Sequence, residues 1–304
     1  ICGYLRYYYP LEFLTAALNI FGDNKDKTAA ITKYATRVGI KITLPKWGLS
    51  KGDYFFDRER NVIAKGLSSV KFMSAGLAEE LYNLAKGKPY INFMDVLYDL
   101  DHKTSINSRQ LEILIQLDFF SDFGNQRELL RMVDLFNMFK KGEAKQIKKS
   151  AVEGTPLEPI VERYAVGVTK SGGVAKSYTL LDVMSILREA EAAVKAMGMD
   201  DLSDIIKVRN FYDVMGYIGY VSGKDADRPK LYITKTAPLY RKKDNVQFGY
   251  SVFTKSIGNG KESRFTVVNQ IYNKEPVKEG DIVYCRGYER NGQYFKMTAY
   301  EKIY

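Results

Sequence analysis

An α+β architecture in several domains, helical in its N-terminal half and ending in a five-stranded β-barrel, is predicted by three features of the sequence. From Lys230 to Tyr304, five runs of β-branched and aromatic residues are separated by Gly, Asn, Asp and Pro, the pattern of an all-β domain. Residues 1–150 instead repeat apolar side chains at helical spacing. Between them lies one strongly periodic helix set among loop residues. The divisions expected are 1–50, 51–150, 151–229 and 230–304.

Pro10 suits the first position of a helix in which Leu11, Leu14 and Leu18 form an apolar stripe ended by Asn19 and Gly22. A second helix over 27–38 places Ile31, Tyr34 and Val38 on one face and stops at Gly39. Ile40–Pro45 then reads as a short strand. Asn92 is the expected N-cap of a later helix, with Asp95 three residues on. Asn107–Gln110 opens another as a capping box, with Leu111, Leu114 and Ile115 facing inward. Met132, Leu135, Phe136 and Phe139 have the spacing of a packed amphipathic helix. Lys140, Lys141, Lys145, Lys148 and Lys149 come next as a basic run with the character of a solvated linker.

Gly154–Pro159 is loop chemistry, and Ser171–Gly173 is a second break. Leu180, Val183, Met184, Leu187, Ala190 and Val194 recur at helical spacing between Thr179 and Gly198. Gly223–Pro229 is a polar linker into the barrel. The five strand runs cover 230–236, 246–254, 264–269, 281–286 and 294–300. Asp244-Asn245, Gly258–Gly260 and Arg290–Gln293 supply turns, the last with the Asn-Gly hairpin dipeptide. In the final run Phe295, Met297 and Ala299 share one face, and Tyr294, Lys296, Thr298 and Tyr300 share the other. One face suits a core and the other a stacked, negatively charged ligand. A small barrel with such a face is an OB-fold.

The formal net charge of +10 is unevenly placed: +6 over 1–150, −3 over 151–229 and +7 over 230–304. Two basic modules flanking an acidic one point to a polyanion contacted twice; the alternative is a basic but inert surface. No apolar run is long enough to span a membrane, and the first residues lack the charged and apolar regions of a secretory signal. Ile1 rather than Met begins the chain, as expected of a piece cut from a longer one. Cys2 and Cys285 lie far apart, which favours a reduced, intracellular protein over a disulfide scaffold. Catalytic chemistry is missing from the pattern. His102 stands alone, and Asp99/Asp101 and Asp225/Asp227 sit in turn-like sequence. Gly258–Ser263 lacks the spacing of a phosphate loop.

One family accounts for the order of these features. Tyr8-Tyr-Pro-Leu-Glu-Phe-Leu-Thr-Ala-Ala-Leu-Asn19, a Lys-rich helix ending Arg37-Val-Gly-Ile40, and a strand closing on Leu44-Pro45 resemble the end of the fingers in the bacterial C-family replicative polymerases, the alpha subunits of DNA polymerase III. Tyr54–Phe56 and Ile63–Lys71 continue the likeness. A helix-hairpin-helix comes next in that family, but its Gly-x-Gly is replaced here by Phe72-Met73-Ser74-Ala75-Gly76, so the hairpin is degenerate. Leu117–Arg127 matches the family's second hairpin in outline, with Asp118 where the family has Gly. Asp tolerates the left-handed backbone better than most residues. Phe211–Tyr220 is similar to the family's lead into its OB domain.

The resemblance implies a C-terminal portion of such a polymerase. Lys65, Lys71, Ser74, Lys88, Arg109 and Arg127 would grip duplex primer–template. On the barrel, Tyr232, Lys235, Arg241, Lys242, Lys243, Phe253, Lys261, Arg264, Tyr294, Lys296 and Tyr300 would hold single-stranded template. Met132, Leu135 and Phe136 stand near the family's sliding-clamp peptide but lack its Gln, and a core helix is the favoured role. The catalytic carboxylates and their Mg2+ would lie in a palm upstream, so this chain holds no cofactor and does not polymerise by itself. The remaining polymerase domains would be its partners, and the bacterial cytoplasm, at the nucleoid, its place. The rival is a stand-alone OB-fold module for RNA or single-stranded DNA, or a scaffold whose basic faces meet other subunits.

Overall fold

The computed structural model describes residues 2–22, 24–168, 173–215, 220–292 and 294–304. The loop break at 171–172, residues 216–219 of the lead into the barrel, and Gln293 of the last turn lie outside the described residues. Contacts divide the chain into two units, Ile1–Asp201 and Leu202–Tyr304. The division falls inside the segment 151–229.

The first unit begins with α1 (Cys2–Tyr8), α2 (Pro10–Phe21) and α3 (Lys25–Arg37). Pro10 starts α2 and Leu11, Leu14 and Leu18 are its buried stripe, packed with Ala35, Ile40, Tyr54 and Ile63. Asn24 caps α3 by accepting from Lys27 N at 3.0 Å. No residue of α1 is buried, so no apolar period announces it in the sequence. Three short strands, β1 (Lys41–Thr43), β2 (Phe55–Asp57) and β3 (Val62–Ala64), form a sheet in the order β1-β3-β2.

A turn at Leu67–Ser69 leads to α4 (Ala75–Gly87), α5 (Phe93–Lys103), α6 (Ser108–Gln116) and α7 (Gln126–Met138). Capping boxes start α6 at Asn107/Gln110 and α7 at Asn125/Glu128. At α5 Asn92 occupies the N-cap position but its side chain makes no cap hydrogen bond. Glu191 takes that role: Phe93 N donates to its Oε1 and Met94 N to its Oε2, both at 2.9 Å. Lys195 Nζ lies 2.8 Å from the same carboxylate, which belongs to a residue only 1% exposed.

Glu191 is carried by α9 (Val183–Ala196), the helix expected over 179–198, which starts where Asp182 accepts from Ser185 N at 3.0 Å. Arg188 on the same helix forms a forked pair with Asp95 of α5, Nη2 to Oδ1 at 2.8 Å and Nε to Oδ1 at 3.1 Å. Before α9 run β4 (Gln146–Lys148), α8 (Glu158–Arg163), β5 (Ala165–Val168) and β6 (Val174–Leu180), with the strands ordered β4-β6-β5. The expected basic linker therefore contains a strand, β4, because three residues inside a lysine run are too few to show an alternation.

The second unit opens with α10 (Asp204–Met215) and continues as β7 (Lys230–Tyr240), β8 (Gln247–Ser256), β9 (Glu262–Val268), the short α11 (Asn269–Tyr272), β10 (Ile282–Asn291) and β11 (Tyr294–Lys302). The strands close in the order β10-β11-β9-β8-β7, with β10 pairing β7 antiparallel and β11 pairing β9 in parallel. This is the predicted OB-fold. Leu231, Ile233, Val252, Phe265, Val267, Tyr272, Val277, Val283 and Met297 fill it.

Two facings differ from the expected alternation, since Ala299 is exposed and Tyr300 turns inward. Between Met297 and Tyr300 the β10–β11 register slips, passing from Tyr288↔Met297 to Gly287↔Ala299 to Cys285↔Tyr300. The extra residue in each strand re-aims the side chains beyond it. Gly287 permits the slip, since a Cβ there would lie 2.8 Å from Thr298 Oγ1. Tyr300 therefore packs against the barrel core, and its hydroxyl donates to Glu275 O at 2.5 Å. No described helix is long and apolar enough to cross a membrane.

Glu191→Ala leaves two buried amides and Lys195 without their acceptor, and is expected to lower stability by about 3 kcal/mol. Urea unfolding of the chain checks this, with Glu191→Gln expected to lose less because it keeps one acceptor.

Candidate nucleic-acid interface

The barrel's outer face is set by strand register. Lys235 on β7 pairs with Phe253 on β8, and Phe253 pairs with Arg264 on β9. Phe295 pairs with Phe265, so Tyr294 of β11 lies one place earlier beside Arg264. Lys235, Phe253, Arg264 and Tyr294 thus form one row across four strands. A second row is Ala237, Ser251, Thr266 and Lys296.

Arg264 is held between the rows. Its Nε donates to Ser251 Oγ at 2.5 Å, and its guanidinium lies 5.3 Å from the centre of the Phe253 ring. Tyr294 is 74% exposed. Lys296 Nζ is 3.7 Å from Glu289 Oε2, a loose surface pair. The rows therefore bring two aromatic rings and three cations onto one surface. Beyond the second row the β7–β8 turn presents Arg241, Lys242 and Lys243, with Arg241 Nε 3.8 Å from Asp244 and Asn245 at φ 54°. At the other end, the β8–β9 turn exposes Lys261.

Two tyrosines expected on this face lie elsewhere. Tyr232 points out of the barrel but is 1% exposed, because α10 covers it: Val208 packs there and the Tyr212 ring centre is 5.2 Å away. Tyr300 is turned inward by the register slip, and burial, with Tyr272 and Glu275 nearby, pushes its phenol up to about 12.

In the helical unit the expected residues scatter. Lys65 is buried, and burial pushes its ammonium down to about 8. Lys71 is exposed, and Ser74 caps α4 by accepting from Leu77 N at 3.1 Å. Lys88 is engaged internally: its Nζ is 2.6 Å from Asp99, which also takes Lys103 Nζ at 2.9 Å and the Tyr90 hydroxyl at 2.8 Å. Burial pushes the Asp99 carboxyl up, but the hydrogen bonds from Lys103, Lys88 and Tyr90 outweigh it and hold the pKa at about 2.

Arg109 lies over the Phe72 ring at 4.1 Å. Arg127 is exposed in the first turn of α7. Asp118 has φ 58°, the left-handed conformation a glycine would supply. The first amide of α7, Gln126 N, is taken by Asp201 Oδ1 at 3.1 Å. Met132, Leu135 and Phe136 are all buried in α7. His102 Nε2 is 3.2 Å from Glu143 on the surface. Among the described residues, no cluster of three or more His, Cys, Asp or Glu is placed to hold a metal ion. The sequence gives no organising role to Glu191 or Asp201. Only Glu191 has a trace there, as a lone carboxylate on the apolar face between Leu187 and Val194.

Residues 39–130 match a family model described as a helix-hairpin-helix motif. The DNA polymerase III subunit alpha of Ureaplasma parvum is 29% identical over 146 residues, which cover 46% of this chain and 14% of that protein. That of Saccharopolyspora erythraea is 32% identical over 126 residues, 41% of this chain and 10% of its own length. That of Thermus aquaticus is 24% identical over 235 residues, 67% of this chain and 19% of its own. The resemblance to these alpha subunits is thereby borne out, and the chain spans under a fifth of the length of each.

Burial separates the two outward tyrosines. Tyr232→Ala is expected to cost about 4 kcal/mol, and Tyr294→Ala less than about 0.5 kcal/mol, in denaturant unfolding. Asp99 has its pKa depressed in the fold, so its stabilisation is full above the unfolded value near 4 and is lost as pH falls toward about 2. Unfolding as a function of pH should show about 2 kcal/mol lost in that window, and Asp99→Asn should flatten it.

Proposed function

We propose that the chain is the DNA-gripping C-terminal portion of a replicative DNA polymerase alpha subunit, its helical unit on duplex primer–template and its barrel on single-stranded template. The observation that carries the barrel's part is the four-strand row Lys235–Phe253–Arg264–Tyr294 with Lys296 beside it. Rings on such a surface stack bases without regard to sequence, and the cations between them meet the backbone. The helical unit's part is supported by the helix-hairpin-helix match and by exposed Lys71, Arg109 and Arg127.

Tyr232, Tyr300 and Lys65 are not among the contacts, since Tyr232 lies under α10, Tyr300 packs against the barrel core and Lys65 is buried. Met132, Leu135 and Phe136 are packed inside α7, so a clamp contact would be made by other residues. Nucleotide addition and the Mg2+ it needs belong to parts of the protein outside this stretch, and those parts are its partners. The bacterial cytoplasm is where such a protein would act.

Fluorescence anisotropy with single-stranded, duplex and primed DNA tests the division of labour. Changing Arg264, Lys296 and Tyr294 together to alanine is expected to weaken single-strand binding at least tenfold (about 1–3 kcal/mol per stacked base) while duplex binding holds. Removing two phosphate contacts should also flatten the salt dependence of single-strand binding by about 1.4 in log–log slope. Equal loss on both DNA forms would overturn the division. A preference for RNA would favour a stand-alone OB-fold module instead.

A further inference from the structure

The tip of the first hairpin carries a residue that neither its backbone nor its packing explains. Phe72 sits at φ 66°, a conformation open to glycine and disfavoured for a side chain of this size. Phe72 is 57% exposed, while Met73 beside it is buried. The hairpin is already tied to α6 without the ring, because Gln110 Nε2 donates to Phe72 O at 2.8 Å. Arg109, from the first turn of α6, places its guanidinium 4.1 Å from the ring centre. The pair therefore displays an oriented aromatic surface with a cation against it, next to exposed Lys71.

We propose that Phe72, oriented by Arg109, is a base-stacking contact: its ring takes an unpaired or terminal nucleobase of DNA, while Arg109 supplies positive charge for the adjoining phosphate. This rests on the DNA-binding reading above and deepens it, giving the hairpin a base contact at the point where a glycine would only let the backbone approach. Backbone strain of this kind clusters at active sites and ligand clamps.

The test uses the whole chain and a primer–template whose first unpaired template base is 2-aminopurine, monitored by anisotropy and by aminopurine emission. Phe72→Gly should weaken binding about tenfold, the effect of losing one stacked base, and remove the emission change. Its thermal midpoint should stay level or rise, since glycine suits the backbone. Phe72→Tyr should stay within about twofold of the wild type in both readouts, and Phe72→Leu should behave as the glycine variant does. Wild-type binding and emission in Phe72→Gly or Phe72→Leu overturns the stacking role and leaves the DNA reading intact. A wild-type chain that binds none of the DNA forms overturns both. If Phe72→Gly does not fold, Phe72→Leu decides.

Discussion

In the N-terminal unit the placing of the hairpins depends on a carboxylate buried between helices. Taking an ionised group out of water costs several kcal/mol unless donors replace the lost solvent. Glu191 has three of them, two first-turn amides of α5 and the Lys195 ammonium, and it lies at the positive end of the α5 dipole. The C-terminal half of α5 is fixed by a second buried carboxylate, Asp99, with Lys88, Lys103 and Tyr90 around it. Since α5 packs against α4, α7 and α9, both ends of one helix register the elements on either side of the hairpins.

The barrel works by a different constraint. Closing five strands around a core leaves alternate residues outside, and which of them face solvent depends on local slips in pairing. The slip at Ile233/Lys235 on β7 brings Lys235 into line with Phe253, while that near Gly287 turns Tyr300 inward. Ser251, buried under Arg264, fixes the guanidinium with a hydrogen bond that a free arginine lacks. The cation is thereby held in one position before any ligand arrives, and less side-chain freedom remains to be lost on binding.

Much of this was legible in the residues. The five strand runs, the α2 stripe, the Asn107 capping box and the left-handed site at Asp118 each rest on short-range chemistry that a sequence displays directly. The features that stayed hidden depend on distant partners. Asn92 has the residue type of a cap, yet the cap comes from Glu191, remote in the chain. Tyr232 has the alternation of an outward residue, yet α10 covers it. Lys65 and Lys88 carry the charge of surface contacts, but one is buried and the other is committed to Asp99. Met132, Leu135 and Phe136 fit both a core helix and an exposed peptide, and burial selects the first. Of the candidate interface, Lys235, Phe253, Arg264, Tyr294 and Lys296 survive as one surface because they share strand parity.

The cover that α10 lays over Tyr232 has a consequence for reach. With that side of β7 closed, the open track runs along β8 from Phe253 to the β7–β8 turn, on the order of 20 Å at about 3.3 Å per residue. A track that short holds few nucleotides, so the barrel alone would be a weak grip. Its strength would come from tethering: once one unit is on the DNA, the other meets it at a high effective concentration, and two modest affinities multiply.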